Sequence, residues 1–298
     1  MIKQIRLTTR DANPAYVEEK LGQELYSHLR GADRVADFRR HAATEAHRLY
    51  EEAKASGAAE SELAGLGLLV LQRALLAAED LGAVLWALAD EPRWLRFTSY
   101  RPGDLDRIYR DLARGQLSVN ELWLLPSESA LREELPADAA EAALRLRHLT
   151  EKQIIEQLEL VAAYWLGHRV GVKAVMHGFG LISSSALEDP LGAGVLDEII
   201  SKPADKPFAV SLVSRVDRGQ KHVETAHHVL DLSPPTVAHA RATAEAACDL
   251  LESLASARVF AVQTQHAYVL GDGLAGHLTP EERRVLAKHI GGEDNAPT

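Results

Sequence analysis

Cysteine is almost absent: Cys248 is the one copy in 298 residues. A lone cysteine closes no intrachain disulfide, so a disulfide-stapled secreted scaffold is excluded. Set among alanines and leucines on an expected helix, Cys248 reads as a small buried hydrophobe and not as a nucleophile. Aromatic residues make up only 5% of the chain. With alanine and leucine plentiful, that balance favours helix over an all-strand architecture. Positive charge is also in deficit, with 33 Lys and Arg against 43 Asp and Glu and a formal net charge of -10. Broad phosphate-binding surfaces draw on clustered Lys and Arg. No such surface is expected here, although a local arginine-lined cleft is compatible with the composition. No apolar run reaches the roughly 18 residues of a membrane span, and no secretory leader pattern opens the chain. The expectation is a cytoplasmic protein without a membrane partner.

Several catalytic signatures are missing as well. There is no Gly-x-x-x-x-Gly-Lys-Ser/Thr run, and no Gly-x-Gly-x-x-Gly between a strand and a helix. No Gly-x-Ser-x-Gly nucleophile elbow occurs. Gly65-Leu66-Gly67 and Gly271-Asp272-Gly273 lack the flanking elements such loops require, and Ser183-Ser184-Ser185 reads as a hydroxyl-rich exit from a helix.

What is present is enough apolar sequence, 46% of residues against 26% charged, to build a folded core. Asn13-Pro14 has the cap-then-proline order of a helix start. Helices are expected near 14–30 and 32–56, the second ending at Gly57. Ser61–Ala89 is apolar on nearly every side and belongs in the middle of a bundle. Arg73 and Asp80 share a face of it with Glu79 beside them, as a buried salt-bridge network or as the lining of a polar pocket. A short helix over Asp104–Arg114 follows, then the patch Leu122-Trp123-Leu124-Leu125, which reads as core packing or as an interface. An alanine-rich helix opens at Pro136. Thr150-Glu151-Lys152-Gln153 has the spacing of a capping box, so a break is expected there.

The most informative stretch is Thr150–Gly180. Ile154, Leu158, Val161, Trp165, His168, Val172 and Val175 recur at helical spacing, and Gly178 and Gly180 end the run. Residues 187–205 look like a surface excursion. Alternating apolar positions from Phe208 to Val216 and from Val223 to Val229, around Asp217-Arg218-Gly219-Gln220, predict a β-hairpin near residues 207–230. Ser233-Pro234-Pro235 restarts helix, with Val237, Ala240, Ala244, Ala247, Leu251 and Leu254 along one face. Thr279-Pro280 opens a last short helix. The fold class expected is mainly α, a helical bundle-like core with one small hairpin. One domain over 1–298 is expected, with sub-domain boundaries near 92–103 and 187–205.

Two constellations carry chemistry. Glu224 and His227 match the Glu-x-x-His pair with which helical carboxylate proteins hold iron or manganese. Glu141, His148, Glu156 and Glu159 are the residues that would complete a diiron or dimanganese oxidoreductase site. The chain holds no second Glu-x-x-His, and on a strand the pair would face opposite ways. His222, His227 and His228 form a histidine cluster that invites zinc, but converging tetrahedral ligands are lacking. The second constellation is Arg169 with His177, an arginine to hold a scissile phosphate and an imidazole for acid-base work. Lys173-x-x-x-His177-Gly178 after a long helix resembles HEPN-type helical domains, a resemblance confined to Thr150–Gly180. It implies RNA cleavage by Arg169 and His177. In the family four to six residues separate the arginine from the histidine, whereas seven separate Arg169 from His177 and three separate Arg218 from His222. Without a convergent catalytic set, the expected function is a non-catalytic interaction or regulatory module that self-associates or binds a protein partner.

Overall fold

In the computed structural model the described backbone covers residues 14–89, 100–177, 182–183, 208–217, 222–264 and 277–289. Side chains are described over 31–89, 100–170, 230–259 and 277–288, apart from Asp33, Pro102 and Ala287. Helix dominates. The elements are α1 (Pro14–Ala55), α2 (Glu60–Leu88), α3 (Pro102–Ala113), α4 (Val119–Leu122), α5 (Glu128–Glu134), α6 (Ala137–His177), β1 (Ile182–Ser183), β2 (Phe208–Asp217), β3 (His222–Asp231), α7 (Pro234–Thr264) and α8 (Pro280–His289). Among the described residues no helix is long and apolar enough to cross a membrane.

The core forms where α1, α2 and α7 pack on one another and α6 closes over α2 and α7. Its composition explains the arrangement. Along α2, Val70, Leu71, Leu75, Leu81 and Leu85 are buried on several sides of the helix at once, so one partner cannot cover it. Buried alanines on the facing helices (Ala36, Ala43 and Ala46 on α1; Ala240, Ala244 and Ala247 on α7) leave room for the larger residues between them. The face of α7 read from the sequence is buried from Val237 through Leu254. Pro234 can open that helix because a proline's missing N–H costs nothing in the first turn. Asp231 organises the entry: it accepts the Ser233 N–H at 2.8 Å, the Ser233 hydroxyl at 3.0 Å and the Thr236 hydroxyl at 2.9 Å. A second, smaller apolar cluster joins α5, α6 and α8 through Leu131, Leu144, Leu146, Leu278 and Leu286.

Two expected breaks are absent. Helix α1 runs unbroken through Gly31, and α6 runs unbroken through Thr150. At Thr150 the hydroxyl donates to the Leu146 carbonyl at 2.9 Å, and the residue is buried. The hydroxyl thus bonds back along its own helix instead of capping a new one. The real stop after α1 is Gly57, whose φ of +71° suits glycine and poorly suits any other residue. Ala58 closes the turn by donating to the Ala53 carbonyl.

β2 and β3 pair antiparallel from Phe208↔Asp231 to Asp217↔His222, and β1 adds two residues beside Val210 and Ala209. The connection between β2 and β3 lies outside the described residues, as do the boundary regions expected near 92–103 (up to residue 99) and 187–205. Both long strands lie against α6.

Two glycines of α2 test the packing in opposite directions. A Cβ at position 82 would stand 3.0 Å from Tyr109 Cε2, and the buried Tyr109 is tied by its hydroxyl to the Ala78 carbonyl. Gly82→Ala is expected to destabilise by about 1–3 kcal/mol, the usual range for overpacking. At Gly65 nothing lies within 4 Å of such a Cβ, and Gly65→Ala is expected to stabilise by about 0.5–1 kcal/mol through helix propensity. Chemical denaturation of the two variants measures both.

Candidate functional site

Arg169 is an internal partner. Asp106, on α3 and 4% exposed, receives the Trp165 indole N–H at 2.9 Å on one oxygen and the Arg169 guanidinium on the other, with Arg110 at 3.7 Å. A buried carboxylate needs such compensation, and two of the donors, Trp165 and Arg169, fasten α6 to α3. The His177 side chain lies outside the described residues, so no Arg169–His177 geometry is described. The sequence carried half of this node, Asp106 and Arg110 being one helical turn apart; its long-range half, Trp165 and Arg169, is a product of the fold.

The proposed metal ligands of α6 occupy exposed positions with other partners. Glu141 pairs with Arg132 at 2.5 Å, His148 with Glu128 at 3.2 Å and Glu156 with Lys152 at 3.8 Å, while Glu159 is exposed. Glu224 and His227 are on β3, in register with Arg215 and Leu212. The helical spacing that motivated the pair therefore has no helix to act on. Among the described residues no group of three or more His, Cys, Asp or Glu is placed to hold a metal ion.

Other charged groups act between helices. Asp80 takes Arg39 of α1 at 2.6 Å. Its neighbour Glu79, with Asp80, helps raise the half-buried Tyr100 phenol, for which burial is the larger cause. Arg40 grips both oxygens of Glu252 at 2.6 and 2.9 Å and reaches Asp249 at 2.9 Å. That fork fixes α1 on α7 and holds the guanidinium above its ordinary range, chiefly through Glu252. Beside it, burial pushes the Cys248 thiol up to about 12, which leaves it protonated and unreactive at neutral pH.

The patch around Trp123 is core, and its interface reading is corrected. Trp123 is fully buried and donates to Ser253 Oγ at 2.9 Å, and Leu122 and Leu125 are buried with it. The segment is pinned from two sides. Arg258 donates to the Leu122 and Glu121 carbonyls, and Arg147 to the Pro126 carbonyl. Between them Leu124 is held at φ +53°, a left-handed conformation a leucine keeps only when its surroundings enforce it.

Two further features take shape only in the fold. His168 stacks on Tyr164 with ring centroids 4.4 Å apart and bonds the Tyr164 carbonyl at 3.1 Å, while His239 of α7 tilts against the same tyrosine at 6.0 Å. The other is the outer face of α1. There Phe38 is 61% exposed, and Val35 and Leu49 are 42% and 41% exposed. Single exposed apolar residues are ordinary. Here Val35, Phe38, Ala42 and Leu49 follow steps of three, four and seven on one face of the helix, with Glu45 between the last two.

No family model matches the chain, and comparison with curated proteins and with solved structures gave no match. The function is therefore argued from these surfaces alone.

Removing the carboxylate of Asp106 strands the Trp165 N–H and two guanidinium groups. Asp106→Leu is expected to destabilise by about 2–4 kcal/mol, and Asp106→Asn, which can still accept from Trp165, by less; urea denaturation compares them. At His168 burial lowers the imidazole below its ordinary 6.5. The His239 charge adds to the shift, while the Tyr164 carbonyl and Asp231 oppose it. The unfolded chain then binds more protons between that lowered value and about 6.5, so stability falls as pH drops through this window. His168→Phe, which keeps the stacking, is expected to flatten the fall in Tm between about pH 7 and pH 5.

Proposed function

We propose that this chain is a non-catalytic interaction module that works by self-association, with the outer face of α1 as the contact surface. One observation supports the reading above the rest: a largely apolar stripe from Val35 to Leu49, interrupted by Glu45, in which Phe38 is more than half exposed. Leaving such a stripe in water forgoes burial worth about 25 cal/mol per Å², which a protein contact recovers. The engagement of Arg39, Arg40, Asp80, Asp106 and Arg169 in ion pairs between helices points the same way. These are the charged side chains that would otherwise suggest chemistry.

The proposal places the protein in the cytoplasm, consistent with a single, buried, free cysteine. It also treats β2 and β3 as a hairpin lying on α6, supported by their antiparallel register. Neither the diiron or dimanganese reading at Glu224 and His227 nor the RNase reading at Arg169 and His177 has a specific observation in its favour.

Light scattering across the micromolar range tests self-association. The 32.6 kDa chain is expected to reach a mass above that of the monomer as its concentration rises, and Phe38→Glu to remain a monomer with an unchanged helical spectrum. A wild-type mass that stays at the monomer value to about 100 μM, a dissociation constant typical of only the weakest encounters, would overturn the proposal.

A further inference from the structure

We infer that the partner of α1 is α1 of a second copy, packed antiparallel about a two-fold axis near Ala42 and Ala43. The inference rests on the self-association reading and adds the geometry of the contact. Val35, Phe38, Ala42, Glu45 and Leu49 alternate at three and four residues, the spacing by which two helices interdigitate along a seam. The adjoining side of α1 is already used. Ala36, Ala43, Ala46 and Tyr50 are buried in the core, Arg39 points to α2 and Arg40 to α7. Val35, Ala42 and Leu49 each precede one of these buried residues by a single position, about 100° around the helix, so the stripe flanks the core-facing side of α1.

Charge decides the orientation. Along the outer flank of the stripe stand Arg34, Asp37, His41, Arg48 and Glu52, with Glu45 in the stripe itself, all exposed or half-exposed. In a parallel two-fold pair this flank would face the other flank of the second helix, where Arg39 and Ala46 are already engaged in the core. In an antiparallel pair one register, to within a residue, sets Arg34 opposite Glu52 of the second copy. It also sets Asp37 opposite Arg48 and His41 opposite Glu45. The same register brings Phe38 over Leu49 of the second copy, so the largest exposed side chain meets the other end of the stripe. Isologous contacts require such self-complementarity, because one patch must be its own partner. Arg48 now pairs with Glu45 and Glu52 of its own helix at 2.9 and 2.5 Å, and Asp37 with Arg40 at 3.3 Å. Exposed pairs of this kind exchange at little cost. The contact spans about 28 Å of helix, from Arg34 to Glu52 at 1.5 Å per residue. That is small for a stable dimer, and a dissociation constant in the micromolar range is expected.

Charge reversal tests the register. Asp37 and Arg48 are eleven residues apart, about 16 Å along one helix, too far to interact within a chain. Arg48→Glu alone and Asp37→Arg alone each place like charges opposite one another at two symmetry-related positions. Each is expected to raise the dissociation constant on the order of tenfold, in sedimentation at low salt. The double variant Asp37→Arg/Arg48→Glu is expected to return it to within about threefold of wild type, a coupling that additive effects cannot produce. Thermal melts of all three confirm that they remain folded. Association that Phe38→Glu abolishes but the double variant does not restore would overturn the antiparallel register and leave the self-association reading intact. Association indifferent to Phe38→Glu would remove α1 from the interface and overturn this inference too. A wild-type chain that stays monomeric overturns both readings.

Discussion

Helix α2 buries most of its circumference, leaving only a narrow part-exposed strip with Gln72, Arg73, Glu79 and Asp80, and the rest of the structure answers that constraint. A helix buried around its circumference needs neighbours on several flanks; α1, α7, α6 and α3 supply them. Fifteen positions of α2 are buried, and glycine or alanine fills eight of them: Ala64, Gly67, Ala74, Ala77, Ala78, Gly82, Ala83 and Ala87. Small residues let the helix backbones approach closely, so the core gains dispersion contacts that its few aromatic side chains could not provide. Gly82 beneath the Tyr109 ring is the tightest such approach, and the hydroxyl of Tyr109 returns to α2 at the Ala78 carbonyl.

Packing of that kind is weakly specific, because alanine faces can slide along one another. Register is set by charged and polar clamps at the margins of the core. Arg39 meets Asp80, Arg40 forks onto Glu252, and Asp106 gathers Trp165 and Arg169. Arg258 and Arg147 pin the strained turn at Leu124 through its neighbouring carbonyls. Each clamp joins elements distant in sequence. The same charges therefore serve architecture, whereas the apolar stripe of α1, like Ile155 and Val170 on α6, is exposed apolar surface that the architecture does not use.

The elements were legible in the sequence wherever a local cause decides them. α2 stands within a residue of its expected ends because its apolar character is continuous. α7 begins at the proline pair because proline tolerates only the first turn. The long helices α1 and α6 were read as broken because Gly31 and the Thr150-x-x-Gln153 spacing are local signals. Burial of Ala32, Ala36 and Ala43 in one helix, and of Leu146, Thr150 and Ile154 in the other, outweighs them. For the site, Cys248 was legible as a buried thiol from its neighbours alone. The role of Arg169 was not, since Asp106 lies 63 residues away in sequence. The stripe on α1 was hidden for a different reason: exposed and buried apolar faces have the same period, and only the neighbouring helices show which is which.

The account stands most directly on where two copies of α1 meet. A nitroxide at position 34, in a chain with Cys248→Ser, reports the distance between copies by pulsed dipolar spectroscopy. An antiparallel pair centred near residue 43 separates the two labels by about 25–35 Å, nine residues to each side of the axis at 1.5 Å per residue. A distance distribution there, absent when Phe38→Glu is added, is the result expected. A distribution near 10–15 Å, the spacing of neighbouring parallel helices, or no dipolar signal at concentrations where light scattering detects association, would contradict it.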